Sequence, residues 1–146
     1  NVDRSSASSQ HGYSGPQPNF TQDEEGYIHG RAATFATPSD LANYSRTGSL
    51  ATGDNGVGAF GHNTAALPGV AISSTLLQSV YGSPANANGK TVTVVAPNGR
   101  VATLPILDIG PRLQTVRNNS VIELTPKATQ ILGTGDSAGY KYKFNL

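Results

Sequence analysis

Four carboxylates in this chain, Asp108, Asp54, Asp40 and Glu123, are candidates for acid–base chemistry. Asp108 follows Pro105-Ile106-Leu107 and precedes Ile109-Gly110-Pro111, so apolar side chains surround an acid at the end of an apparent strand. Desolvation by such neighbours favours the neutral, proton-bearing carboxyl, the form a general acid requires. The acid is therefore expected in an open groove near Asp54, His62 or Glu123. The same position also suits an aspartate that hydrogen-bonds the backbone of the following turn, and the local sequence leaves both readings open. A second carboxylate, to activate water or act as a nucleophile, would come from Asp54, Asp40 or Glu123. Glu123 also has a structural use, because a negative charge just before the Thr125-Pro126 helix start stabilises the helix dipole. Asp54 opens Asp54-Asn55-Gly56, a strong turn signal.

Around these acids lie side chains that could touch a substrate. His62 and Asn63 sit beside Phe60 in a glycine-rich stretch, and Tyr44 and Tyr81, like Tyr27 and Phe35, offer flat faces to a ligand or apolar bulk to a core. The three histidines share no ligand spacing, so neither a metal nor a cofactor is expected.

The elements that must hold these residues read mainly as strands. Residues 89–111 form a β-hairpin: Val92 and Val94 alternate with threonines, Asn98-Gly99 supplies a tight turn, and the return strand climbs from Arg100 through Leu104 and Ile106 to Asp108. A first strand begins at Tyr27 and stops at Pro38, after which residues 40–61, with five glycines, read as a long binding loop or a solvated one. Val70 to Ser73 is a short buried strand. The next seven residues make a turn or two of helix with Leu76, Leu77 and Val80 inward. Val121 to Leu124 is another strand, Thr125-Pro126 starts a helix that Gly133 ends, and Tyr140, Tyr142 and Phe144 alternate inward along a final strand. Residues 1–26 are polar, carry almost no apolar periodicity, and read as a flexible N-terminal arm or linker. Residues 27–146 are the folded domain.

The chain has 146 residues, no Cys, Met or Trp, a net charge of +1 and only 13% charged residues. One core without staples is expected, with no footprint for nucleic acid and no apolar run long enough for a membrane span. An uncharged partner and a monomeric state fit best.

Taken in order, Ala33-Thr34-Phe35, Val70-Ala71-Ile72-Ser73, residues 89–94, Leu107-Asp108-Ile109-Gly110-Pro111 and Ile122-Glu123-Leu124-Thr125-Pro126 resemble the double-psi β-barrel of the RlpA and expansin superfamily. The resemblance spans residues 27–133. It implies a mostly β fold, a six-stranded double-psi barrel with short helices, a catalytic aspartate at Asp108 and a second carboxylate at Glu123. It also implies a groove that Thr34 would help line. The implied partner is a cell-wall glycan, peptidoglycan or a plant-type polysaccharide, and the implied location is secreted, periplasmic or wall-associated. The implied activity is lytic transglycosylation, with an expansin-like, non-cleaving glycan-binding module or a structural assembly barrel as the alternatives. The Ala-Ala-His segment of RlpA-like enzymes is replaced by Ala71-Ile72-Ser73-Ser74, without histidine.

Overall fold

The computed structural model describes residues 21–49, 54–110 and 120–146. Six strands, β1 (Ile28–Thr34), β2 (Val70–Ile72), β3 (Thr91–Val95), β4 (Val101–Ile109), β5 (Ser120–Leu124) and β6 (Ser137–Phe144), close into a barrel in the order β1-β5-β2-β4-β3-β6. The β1/β5 and β2/β4 pairs are parallel and the other four antiparallel. Parallel neighbours cannot share a tight turn, so the chain passes through other elements between β1 and β5 and between β2 and β4. Among the described residues three short α-helices accompany the barrel: α1 (Pro38–Thr47), α2 (Ser74–Tyr81) and α3 (Pro126–Leu132). The mostly β class and the closed six-stranded barrel are those expected from the sequence.

The hairpin forms because alternation puts Val92 and Val94 in the core while Thr91 and Thr93 stay half-exposed. At its tip the Ala96 N–H donates to Arg100 O and the Gly99 N–H to Ala96 O, with Gly99 alone taking a positive φ, 90°. Asn98 contributes its side chain. Its Oδ1 accepts from the Arg100 N–H and its Nδ2 donates to Leu132 O, both at 2.9 Å, pinning the tip to the end of α3. On β6, Tyr140, Tyr142 and Phe144 enter the core as the alternation requires. Tyr142 lies fully buried with its hydroxyl donating to Val121 O at 3.1 Å; burial pushes its pKa up, which keeps the hydroxyl a neutral donor.

The helices follow their caps. Thr125 Oγ1 accepts from the Ala128 N–H at 3.3 Å and from the Gly69 N–H at 3.0 Å, so one buried hydroxyl both starts α3 and holds the approach to β2. Residues 38–47 are helical, so the first part of the 40–61 stretch expected as loop, residues 40–47, is helix instead. Thr37 and Asp40 form a reciprocal capping box, Pro38 occupies the first turn, and Gly48 closes the helix in the left-handed region. None of its side chains is buried, so caps rather than an apolar face define it.

The acidic stretch before Tyr27 folds back on β1. Gln22 bridges to Ile28, Asp23 Oδ1 accepts from the N–H groups of Glu25 and Tyr27, and Asp23 Oδ2 contacts His29 Nε2 at 2.7 Å. The bond to His29, with help from the backbone donors, lowers the Asp23 pKa from 3.8 to about 2. A carboxyl depressed on folding stabilises the folded turn above its unfolded value and loses that contribution as pH falls through the folded one. The turn should therefore stay docked at pH 4 and release as the solution approaches pH 2, and Asp23→Asn should abolish this transition. A carboxyl NMR titration of Asp23 checks it; a midpoint at 3.8 would contradict it.

Candidate functional site

The candidate acids are organised by β2. Ala71 pairs with Asp108 of β4 on one side and with Glu123 of β5 on the other, which sets the two carboxylates in one row across three strands. Cross-strand partners share a face of the sheet. That face is outside the main core, because Ala71 packs instead in a small cluster with Phe35 and Ala36. Strand period alone would not aim Asp108 outward, since Ile106 points into the core. The register shift between Val70↔Ile106 and Ala71↔Asp108 inserts Leu107 as an extra residue, and this bulge turns Asp108 out while returning Ile109 to the core. Leu107 fits because Gly69 leaves its place empty; a β-carbon there would strike the Leu107 side chain.

Asp108 is 0% exposed. Its Oδ1 accepts from the Ile109 N–H and from the Ala59 N–H, both at 2.7 Å. Ala59 belongs to a miniature hairpin over the row: Val57 bridges Asn63, the Gly58 N–H donates to His62 O, and the Thr64 N–H donates to Gly56 O. Gly58 is packed so closely that a β-carbon would run into the Leu107 carbonyl oxygen and lie 3.2 Å from Asp108 Cβ. Glu123, 1% exposed, is likewise roofed by a glycine, for a β-carbon on Gly110 would strike its Oε1. Asp54 is also 0% exposed; its Oδ1 accepts from the Gly56 N–H at 2.7 Å, the Asx turn its sequence suggests, and its own N–H donates to Asp40 O.

The structure thus brings Asp108, Glu123 and the loop carrying Asp54, His62 and Asn63 to one end of β2, with Asp108 beneath that loop rather than in an open groove. His62 Nε2 meets Asn88 Oδ1 at 2.7 Å and so ties the loop to the residue after a 3₁₀ turn, Pro84–Ala87. Between these walls opens a cleft of about 320 Å³ lined by Ala59, Phe60, Ser83, Pro84, Ala85 and Ile109. Asn63 is exposed, with its carbonyl accepting from the Ala66 and Leu67 N–H groups. Thr34 ends β1 opposite Leu124, one residue from the Ala33↔Glu123 pair. Tyr44 is half-buried on α1. Tyr81 stacks edge-on against Phe144 at 5.8 Å, its hydroxyl buried without a hydrogen-bond partner and its pKa raised by desolvation. No group of three or more His, Asp or Glu side chains that could hold a metal ion occurs among the described residues, and no helix among them is long and apolar enough to cross a membrane.

The residues that sequence reasoning missed here are small ones. Ala71, Gly58, Gly110 and the Ala59 N–H have no chemistry of their own, yet they decide how the carboxylates are held. The glycine spacing around Phe60 was the available signal: the close backbone approach that glycine permits is toward Asp108, from within the chain.

No family model and no curated protein matches the sequence. Solved structures do. Among them is the Streptomyces papain inhibitor, which superposes with a TM-score of 0.53 at 20% identity over 86% of this chain and 100% of its own. That neighbour has a double-psi barrel-like fold, and at this identity the likeness establishes the fold alone.

Removing the Asp108 carboxylate would take the acceptor from the buried Ile109 N–H and the part-buried Ala59 N–H. Asp108→Ala should cost about 2–5 kcal/mol of stability, and Asp108→Asn clearly less because its amide oxygen can still accept. Denaturant unfolding of the two variants measures this; an alanine variant as stable as the parent would contradict it.

Proposed function

We propose that this barrel is a binding module, with a wall glycan strand as its ligand and no bond cleaved. The observation that carries the reading is the state of Asp108. A general acid must reach the glycosidic oxygen, directly or through one water, and a carboxyl that is fully buried and engaged by two backbone donors serves poorly for that. Glu123 and Asp54 are equally enclosed. Support for the glycan comes from the resemblance to wall-acting barrels, from the low overall charge, and from the cleft. Phe60 gives the cleft an aromatic element, Pro84 and Ile109 apolar walls, and Ser83 a polar group, a combination suited to the mixed faces of a pyranose ring. A secreted, periplasmic or wall-associated location accompanies this proposal.

The lytic transglycosylase reading, with Asp108 as acid/base, is the catalytic competitor. A second binding reading is protease inhibition, the role in the structural neighbour's name; the cleft favours it to the extent that its uncharged lining would also take an apolar peptide side chain.

Incubation with purified peptidoglycan sacculi separates these. The protein should pellet with the sacculi and release no soluble muropeptides, and Phe60→Ala should weaken retention by roughly tenfold, the scale of a loss just over 1 kcal/mol. Release of anhydro-muropeptides that stops in Asp108→Asn would overturn the proposal in favour of catalysis. Absence of binding to sacculi together with inhibition of papain would replace the glycan with a protease.

A further inference from the structure

The barrel carries a second polar surface, on the side opposite the candidate acids. In the closed ring β6 stands three strands from β2, flanked by β1 and β3. Alternation that sends Tyr140, Tyr142 and Phe144 inward sends Lys141 and Lys143 outward. Lys141 pairs with His29 on β1 and Val95 on β3, and Lys143 pairs with Thr93. Both ammonium groups converge on one ring: Lys141 Nζ lies 4.4 Å and Lys143 Nζ 4.9 Å from the centroid of Tyr27.

The other basic side chains of this face have acidic partners. Arg31 pairs with Asp136 at 2.9 Å and His29 with Asp23 at 2.7 Å. Among the described residues neither Lys141 nor Lys143 forms an ion pair. Two like charges gathered over one ring repel each other, and the ring quadrupole offsets this only in part. An anion lying across both would convert the repulsion into attraction.

We propose that the Tyr27–Lys141–Lys143 face is a docking surface for an anionic polysaccharide, one bearing carboxylate or sulfate groups. The surface is an open barrel wall rather than a pocket, which suits an extended polymer. Two unpaired lysines on a chain of net charge +1 are too few for the multiple phosphate contacts of duplex binding. Tyr27, its face occupied by the ammonium groups, offers no platform for a base. The proposal is independent of the cleft and of what binds there.

Affinity electrophoresis at low salt tests it, with polygalacturonate as the carboxylate probe, heparin as the sulfate probe, dextran as the neutral control and single-stranded DNA as the competitor class. Retardation by at least one of the acidic polysaccharides and not by dextran is expected, and which of the two retards the protein identifies the anionic group. Lys141→Gln with Lys143→Gln should weaken binding about tenfold, two half-buried charges at roughly 0.5–1 kcal/mol each. Replacing both by Arg should retain it, and Lys127→Gln on α3 should leave it unchanged. Chemical-shift mapping on the unaltered protein should confine the perturbation to residues around Tyr27, His29, Lys141 and Lys143. Equal retardation by dextran, DNA binding as tight as that to the polysaccharides, an unaffected double Gln variant, or shifts centred elsewhere would each overturn the proposal.

Discussion

A carboxylate inside a protein has to be surrounded by donors, and much of this structure can be understood as the consequence of placing Asp108 where water does not reach. The cost of stripping water from an acid is several kcal/mol unless hydrogen bonds replace it. Among the described residues the replacements include the Ile109 N–H within β4 and the Ala59 N–H from a loop nearly fifty residues earlier in the chain. The second bond requires a backbone to come within hydrogen-bonding distance of a strand, which in turn requires Gly58 to lack a side chain. It also requires the bulge at Leu107, without which the carboxylate would face Ile106's side of the wall. The loop, the bulge and the glycines are one device.

The same device shapes the open end of the barrel. With Ala59 anchored to Asp108, Phe60 is set facing the turn at Pro84–Ala87, and the His62 to Asn88 contact fixes the separation of the two walls. The acid thus acts on the cleft by holding its rim. A rigid rim reduces the ordering cost that a ligand would otherwise meet on binding. The opposite side of the barrel needs no such support, because β6 is paired to β1 between Ser137 and Tyr142 and to β3 between Lys141 and Phe144, so its lysines stand on a paired strand.

The hairpin, the short strands, α3 and the inward aromatics of β6 were legible because each depends on a local pattern: period two, an Asn-Gly turn, a Thr-Pro cap. α1 has the same Thr-Pro opening at Thr37-Pro38 and was still read as loop, since its side chains bury nothing and its apolar pattern is weak. The closed six-stranded barrel was legible only through resemblance and its strand order not at all, as parallel pairing between β1 and β5 leaves no mark on either segment. The candidate acids were found by type and neighbourhood. Their enclosure was not legible, because it rests on contacts between Gly58 and Leu107 and between Gly110 and Glu123 that no spacing announces. Apolar neighbours told that Asp108 would be desolvated; they could not tell that backbone donors would meet it there.

Native-state hydrogen exchange at the Ala59 amide tests the central claim most directly. If Asp108 is the buried acceptor that fastens the loop, this N–H, although it sits in a loop, should exchange as slowly as the strand amides of β4 and be released only by global unfolding. Exchange at the rate of an open loop amide, with Ile109 still protected, would mean that the loop is not fastened and that Asp108 is reachable from the cleft after all.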